Sequence, residues 1–213
     1  MIVPPTVIAQ LPQVIGKIIP LFTNAIKVLS TKLPLLIDKI KPITDTIWKA
    51  SQAMEVYKST ASAEKLGDKV IQAEQQGVTL ESCMGDYKAY QNKIDNFNLD
   101  ADKSLIIPVE EKLSASLVLM TIELEERYGP EIVGIFGLIN RNSDFFSSDR
   151  ISKYLEACDQ AYISISDICS YFNSNLNRQD SNLVEKKLIE IEKSIKSDIN
   201  EGNIVSSIRL ERE

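Results

Sequence analysis

A chain of 213 residues with 44% apolar side chains, 25% charged side chains and a net charge of −6 has a globular composition, neither disordered nor membrane-spanning. It contains no histidine, which removes the usual general base of serine and cysteine hydrolases and the commonest transition-metal ligand. The acidic balance opposes nucleic-acid binding, because affinity for phosphate is largely electrostatic.

That charge is unevenly placed. Residues 1–60 carry seven lysines against Asp38, Asp45 and Glu55 and sum to +4, whereas residues 61–213 carry 17 basic and 27 acidic side chains and sum to −10. Six of the eight prolines fall in the first 42 residues, and no acid precedes Asp38. In that stretch Val7, Leu11, Val14, Ile15, Ile18, Phe22, Ile26, Leu29, Leu33, Leu36, Ile37, Ile40 and Ile43 recur in steps of three and four, the period of one helical stripe. A proline inside a helix costs about 3 kcal/mol but is tolerated in a first turn. Residues 1–43 therefore read as an arm of short hinged helices restarted near Pro20, Pro34 and Pro42, preceding an acidic bundle over 44–213.

Within the arm, Leu11–Leu21 aligns with Leu33–Ile43, with six identities in eleven positions. The 22-residue offset returns a helix nearly to the same face. This proline-punctuated unit resembles the repeats of exchangeable apolipoproteins over residues 11–43. Those families use many copies and far more acidic residues, so the resemblance is one of physical design and implies no kinship.

Downstream, Thr44 is expected to cap a helix through Ile47, Trp48, Met54, Leu66, Val70 and Ile71, stopping near Gly77. Thr79 or Ser82 opens the next, with Leu80, Cys83, Tyr87, Tyr90, Ile94 and Phe97 on one face, followed by a loop over 95–102. A helix from about Ser104 to Tyr128 turns Leu113, Leu117, Met120 and Leu124 inward and ends at Gly129-Pro130. Residues 131–139, apolar on every side, read as a short buried segment. Ser148 or Asp149 starts a helix through Ile151, Tyr154, Leu155, Cys158, Tyr162, Ile165, Cys169 and Phe172. Asp180 or Ser181 starts the last long helix, with Leu183, Val184, Leu188, Ile191, Ile195 and Ile199 aligned and Glu192–Lys196 as a solvent-face pair. The fold class is all-α, a helical bundle with an N-terminal arm.

The chemistry of the body is sparse. Cys83, Cys158 and Cys169 lack zinc-site spacing and read as packing residues; the last two, eleven apart on one helix, would lie roughly 16 Å apart, too far for a disulfide. Gly134 and Gly137 precede no phosphate-loop signature and read as close-packing positions. Asn98, Asp100 and Asp102 alternate like calcium ligands, but Lys103 and Val109 stand where that loop needs glycine and glutamate. Glu123, Glu125 and Glu126 read as a charged helix face. No catalytic residue, metal or cofactor is implied.

The expected function is therefore non-enzymatic and membrane-active, permeabilising or toxin-like if copies assemble into a homo-oligomer. Residues 5–43 would meet an anionic membrane, with Val14, Ile15, Ile18, Phe22, Ile26, Leu29, Leu36 and Ile37 supplying apolar contact and Lys17, Lys27, Lys32 and Lys39 the charge. The alternative is a soluble adaptor, chaperone-like or structural assembly protein whose arm docks in a partner groove. The N-terminus lacks a charged n-region and a small-residue cleavage site, and no stretch of about 18 uncharged apolar residues is present. The expected location is the cytoplasm of the producing cell, with peripheral membrane attachment or signal-free export as alternatives.

Overall fold

A computed structural model of the chain describes residues 40–56, 61–195 and 200–212. These form ten α-helices: α1 (Ile40–Ala53), α2 (Ala63–Gln75), α3 (Tyr87–Asp95), α4 (Ala101–Ile106), α5 (Val109–Tyr128), α6 (Val133–Arg141), α7 (Ser148–Asp159), α8 (Ile165–Phe172), α9 (Arg178–Ile195) and α10 (Glu201–Leu210). Short 3₁₀ turns occupy Glu81–Cys83 and Pro130–Ile132, and the described residues contain no strand. The expected all-α bundle is the observed fold.

The bundle is built around α5. Every residue from Lys112 to Ile122 is buried, as are Leu124 and Glu125, the pattern of a helix with neighbours on all sides. Packed on it are α1 and α2. Gly67 explains how closely α2 approaches: a Cβ there would sit 1.7 Å from the backbone oxygen of Lys112, so only glycine lets the two backbones touch. α1 buries Ile40, Ile43, Ile47, Trp48 and Ala50 between α5 and α7. At the far side, Phe146 and Phe172 meet edge to face at 5.0 Å between ring centres, and Tyr171 packs at 5.3 Å from Phe172, the favoured geometry for aromatic pairs.

Several helix boundaries differ from expectation, each for a local reason. The helix expected to begin at Thr44 already includes Ile40, and Pro42 sits in its first turn, where its missing N–H leaves no bond unmade. That helix does not run on to Gly77. Glu55 adopts φ 55°, and Ser62 caps a second helix by accepting from the Lys65 N–H at 3.2 Å. The Thr79–Ser82 pair makes reciprocal bonds of 2.9 and 3.0 Å but supports only one 3₁₀ turn; α3 waits for its cap, Asp86. Pro108 divides the expected Ser104–Tyr128 helix into α4 and α5, since the residue before it, Ile107, is extended (ψ 122°).

Two further corrections bear on chemistry. Cys158 and Cys169 do not share a helix, because Ala161 (φ 54°) ends the first element and a Ser164–Asp167 capping box starts α8; the distance expected from one continuous helix does not apply. Glu192 is not on a solvent face but 3% exposed, and Lys196 lies outside the described residues. Leu183, expected inward, is 53% exposed. Of the two packing glycines, Gly134 does abut Cys169, where a Cβ would stand 2.6 Å from Sγ, but Gly137 faces open space.

Candidate functional site

The residues expected to carry function, Val14, Ile15, Lys17, Ile18, Phe22, Ile26, Lys27, Leu29, Lys32, Leu36, Ile37 and Lys39, all lie outside the described residues. What the structure does describe is the place where they join the bundle. Ile40 and Ile43, at that junction, are 2% and 0% exposed, so these first described residues of α1 belong to the core.

Four elements meet at this corner. Lys41, in the first turn of α1, bonds Asp45 at 2.7 Å; its pKa is raised chiefly by that partner and also by Glu64, in the first turn of α2. Glu64 in turn stands 3.8 Å from the ammonium of Lys112, near the start of α5. Lys112 is itself buried, pairing with Asp68 at 3.1 Å and donating to the backbone oxygen of Ser104 in α4 at 2.9 Å. A buried ammonium requires such partners, because an uncompensated one costs several kcal/mol.

Gln72 completes the tether. Fully buried, its amide nitrogen shares its two N–H donors among Asp68 Oδ1 (2.9 Å), the Asp100 carbonyl (3.1 Å) and Ser104 Oγ (3.0 Å), while its oxygen accepts the Asp100 N–H (2.9 Å). Asp100 meanwhile caps α4 with its own carboxylate, accepting from the amides of Asp102 and Lys103. The calcium-like spacing of Asn98, Asp100 and Asp102 is thus a capped turn, and no group of three or more metal-ligating side chains occurs among the described residues.

The consequence is an unusual helix. α4 buries none of its residues, and hydrogen bonds from α2 and α5 hold it by the backbone of its cap Asp100, the backbone carbonyl of Ser104 and the Ser104 hydroxyl. Its apolar side chains point away: Leu105 is 85% exposed, Ile106 80%, and Val109 just beyond Pro108 is 43%. The same stretch of chain carries the exposed Asp102, Lys103 and Glu110 and the partly buried Glu111. Burial and the charge of Glu110 raise the Glu111 carboxyl above its ordinary value. Large aliphatic side chains held outward on an anchored frame make this ridge a candidate contact surface. The sequence did hold a signal for it, the Leu105-Ile106-Ile107-Pro108 run, in which the proline forces a break just after two large aliphatics.

Elsewhere the polar groups are spent on structure. Arg150, on α7, places Nη2 2.8 Å from Glu192 Oε2 and its Nε on the other carboxylate oxygen, donates to the Phe145 carbonyl, and lies 3.8 Å from the centre of the Phe145 ring. Tyr154 donates to the same carboxylate at 2.8 Å. Burial pushes the Cys158 and Cys169 thiols up to about 12, so neither presents a thiolate near neutrality. An open groove of about 340 Å³ beside α7 and α9 is lined by Lys153, Glu156, Tyr162 and Glu190, of which Lys153 pairs with Glu156 and the Tyr162 hydroxyl donates to Glu190. Of the expected charged face on α5, Glu126 is exposed but Glu125 is buried and Glu123 partly so.

No helix among the described residues is long and apolar enough to cross a membrane. No family model matches this chain, and no match is found among curated proteins or solved structures.

Proposed function

We propose that this protein is a non-enzymatic, membrane-active helical protein whose N-terminal segment, ending by residue 39, lies in the interface of an anionic bilayer while the acidic bundle stays outside it. The observation that carries this reading is the division of charge and apolarity along the chain. Residues 1–39 hold Lys17, Lys27, Lys32 and Lys39 against Asp38 alone and an aliphatic stripe at helical spacing, a net +3 joined to a remainder of −9. An amphipathic stripe gains from any apolar surface, and each lysine adds about 1 kcal/mol beside anionic headgroups. The body is repelled by the same surface, which orients the protein with its bundle in solution. If several copies gather, shallow insertion of these segments would thin and permeabilise the bilayer.

Vesicle flotation tests this with the full-length chain and a full-length Lys17→Glu/Lys27→Glu/Lys32→Glu variant. Binding to phosphatidylserine-containing vesicles, weak binding to neutral ones, and a loss on the order of 100-fold in the variant are expected from three lysines at about 1 kcal/mol each. Dye release would add the permeabilising step. Full-length protein that stays soluble with anionic vesicles and releases nothing would transfer the reading to a soluble adaptor whose arm occupies a protein groove.

A further inference from the structure

Two exposed faces of the bundle carry opposite charge. The first is the ridge, where Leu105 and Ile106 are 85% and 80% exposed and Val109 follows beyond Pro108. Residues 100–111 hold Asp100, Asp102, Glu110 and Glu111 against Lys103, a net −3. The second lies on the first half of α9, where Arg178, Gln179, Asn182, Leu183 and Lys186 line one open groove at spacings that share a helical face. All five are exposed.

No acid is among these lining residues, and the charged neighbours on α9 are engaged elsewhere. Asp180 accepts from the Asn177 amide, Glu185 from Arg209 and Tyr171, and Glu190 from the Tyr162 hydroxyl, while Lys187 donates to the Tyr162 carbonyl. Arg178 and Lys186 enter no ion pair among the described residues. Both faces are open, so neither covers the other within one copy.

We propose that the ridge of one copy seats in the α9 groove of a second, with Leu105 and Ile106 against Leu183 and the ridge acids against Arg178 and Lys186. The two patterns correspond. Asp102 and Glu110 flank the ridge aliphatics in sequence, and two cations about 12 Å apart along α9 flank Leu183. Lys103 removes one charge from the ridge without reversing its sign. Charge selects this pairing over the others: ridge on ridge sets −3 against −3, groove on groove sets cation against cation, and an anionic bilayer is repelled by the ridge. A bilayer on the groove would leave Leu105 and Ile106 uncovered and would draw a body of −9 toward an anionic surface.

Because the two faces differ, each joined copy keeps a free ridge or groove at either end. Such heterologous contacts continue into rings or open chains. A few side chains make a small interface, so assembly requires high concentration or confinement. The contact does not rest on the membrane reading; where both hold, it supplies the gathering of copies that permeabilisation needs.

The test is sedimentation velocity of the full-length chain without lipid, from about 10 μM to about 1 mM. The expected result is a mass that rises with concentration and falls back in high salt. Asp102→Lys/Glu110→Lys and Arg178→Glu/Lys186→Glu should each weaken association at least about ten-fold, because two attractive pairs become repulsive. An equimolar mixture of the two variants should regain it, since each reversed face then meets its complement. Leu183→Ser should weaken association without altering charge, and circular dichroism checks that every variant keeps the native helix content. A native chain that stays monomeric throughout would overturn the proposal. Self-association that both reversals leave unchanged, or that the mixture fails to restore, would overturn it in favour of another surface. Loss of vesicle binding in Arg178→Glu/Lys186→Glu, with no self-association of the native chain, would give the groove to anionic lipid instead.

Discussion

Lys112 and Arg150 are both buried cations at helix junctions, yet the bundle neutralises them differently. Arg150 gives its planar fork to Glu192, with Phe145 stacked on it and Tyr154 donating to the same carboxylate. The pair is sealed, with side chains 9% and 4% exposed. Lys112 spreads its charge over Asp68, Glu64 and a backbone carbonyl, and one of these, Glu64, remains 47% exposed. Guanidinium suits the closed, bidentate site, whereas a point-charge ammonium suits a junction of several elements. The closed site locks α7 to α9; the open one collects α2, α4 and α5 at the corner where the N-terminal segment enters.

Substitution should break the closed site most severely. Glu192→Ala leaves the Arg150 charge buried without its partner and should cost about 3–5 kcal/mol, measured as a lowered urea midpoint at constant slope. At the open corner the largest effect should come from packing: Gly67→Ala forces a methyl against the Lys112 carbonyl and should cost about 3 kcal/mol, the upper end of overpacking. Asp68→Ala should cost less, about 2 kcal/mol, because Glu64 and Ser104 still serve the ammonium. If Asp68→Ala proved as damaging as Glu192→Ala, the two cations would be equivalent and the contrast would fail.

The smallest effect is on pH dependence. Burial raises the carboxyls of Glu111 and Glu123. A carboxyl raised in the folded state binds protons there more readily than in the unfolded chain, so the strain it contributes is relieved as pH falls through the folded value. Glu185 behaves oppositely, lowered chiefly by its hydrogen bond from Arg209. Its contribution is present above the unfolded value and lost as pH falls through the lower folded one. Stability by thermal unfolding should therefore rise slightly as pH falls from neutral toward the carboxylate range and fall in stronger acid, with Arg209→Ala reducing the acid-side loss.

How much of this was legible in the sequence depends on whether the cause is local. The inward register of Leu113, Leu117, Met120 and Leu124 follows from spacing alone, and all four are buried. Gly77 and Gly129, at φ 82° and 81°, end helices as glycine signals imply. The breaks at Glu55 and Ala161 were hidden because the residues in the left-handed region there are not glycine. Glu192 reads as a surface residue because its partners, Arg150 and Tyr154, lie 42 and 38 positions away. Gln72 is hidden for the same reason: a glutamine on a helix says nothing of a backbone it meets 28 residues later. The site residues named from the arm stand outside the described structure, and the exposure of Leu105 and Ile106 emerged only with the fold.

The way Gln72 grips Asp100 has a kinetic consequence. By accepting that residue's N–H and donating to its C=O, one side chain imitates a single rung of a strand ladder. Since α4 buries none of its residues, breaking this rung together with the Gln72–Ser104 and Lys112–Ser104 bonds would release the segment without disturbing the hydrophobic core. Amide hydrogens across α4 should then exchange through a shared local opening, far faster than those of α5, and Gln72→Ala should accelerate that set while leaving α5 at its native rate. The ridge would thus be a hinged panel with its own clock.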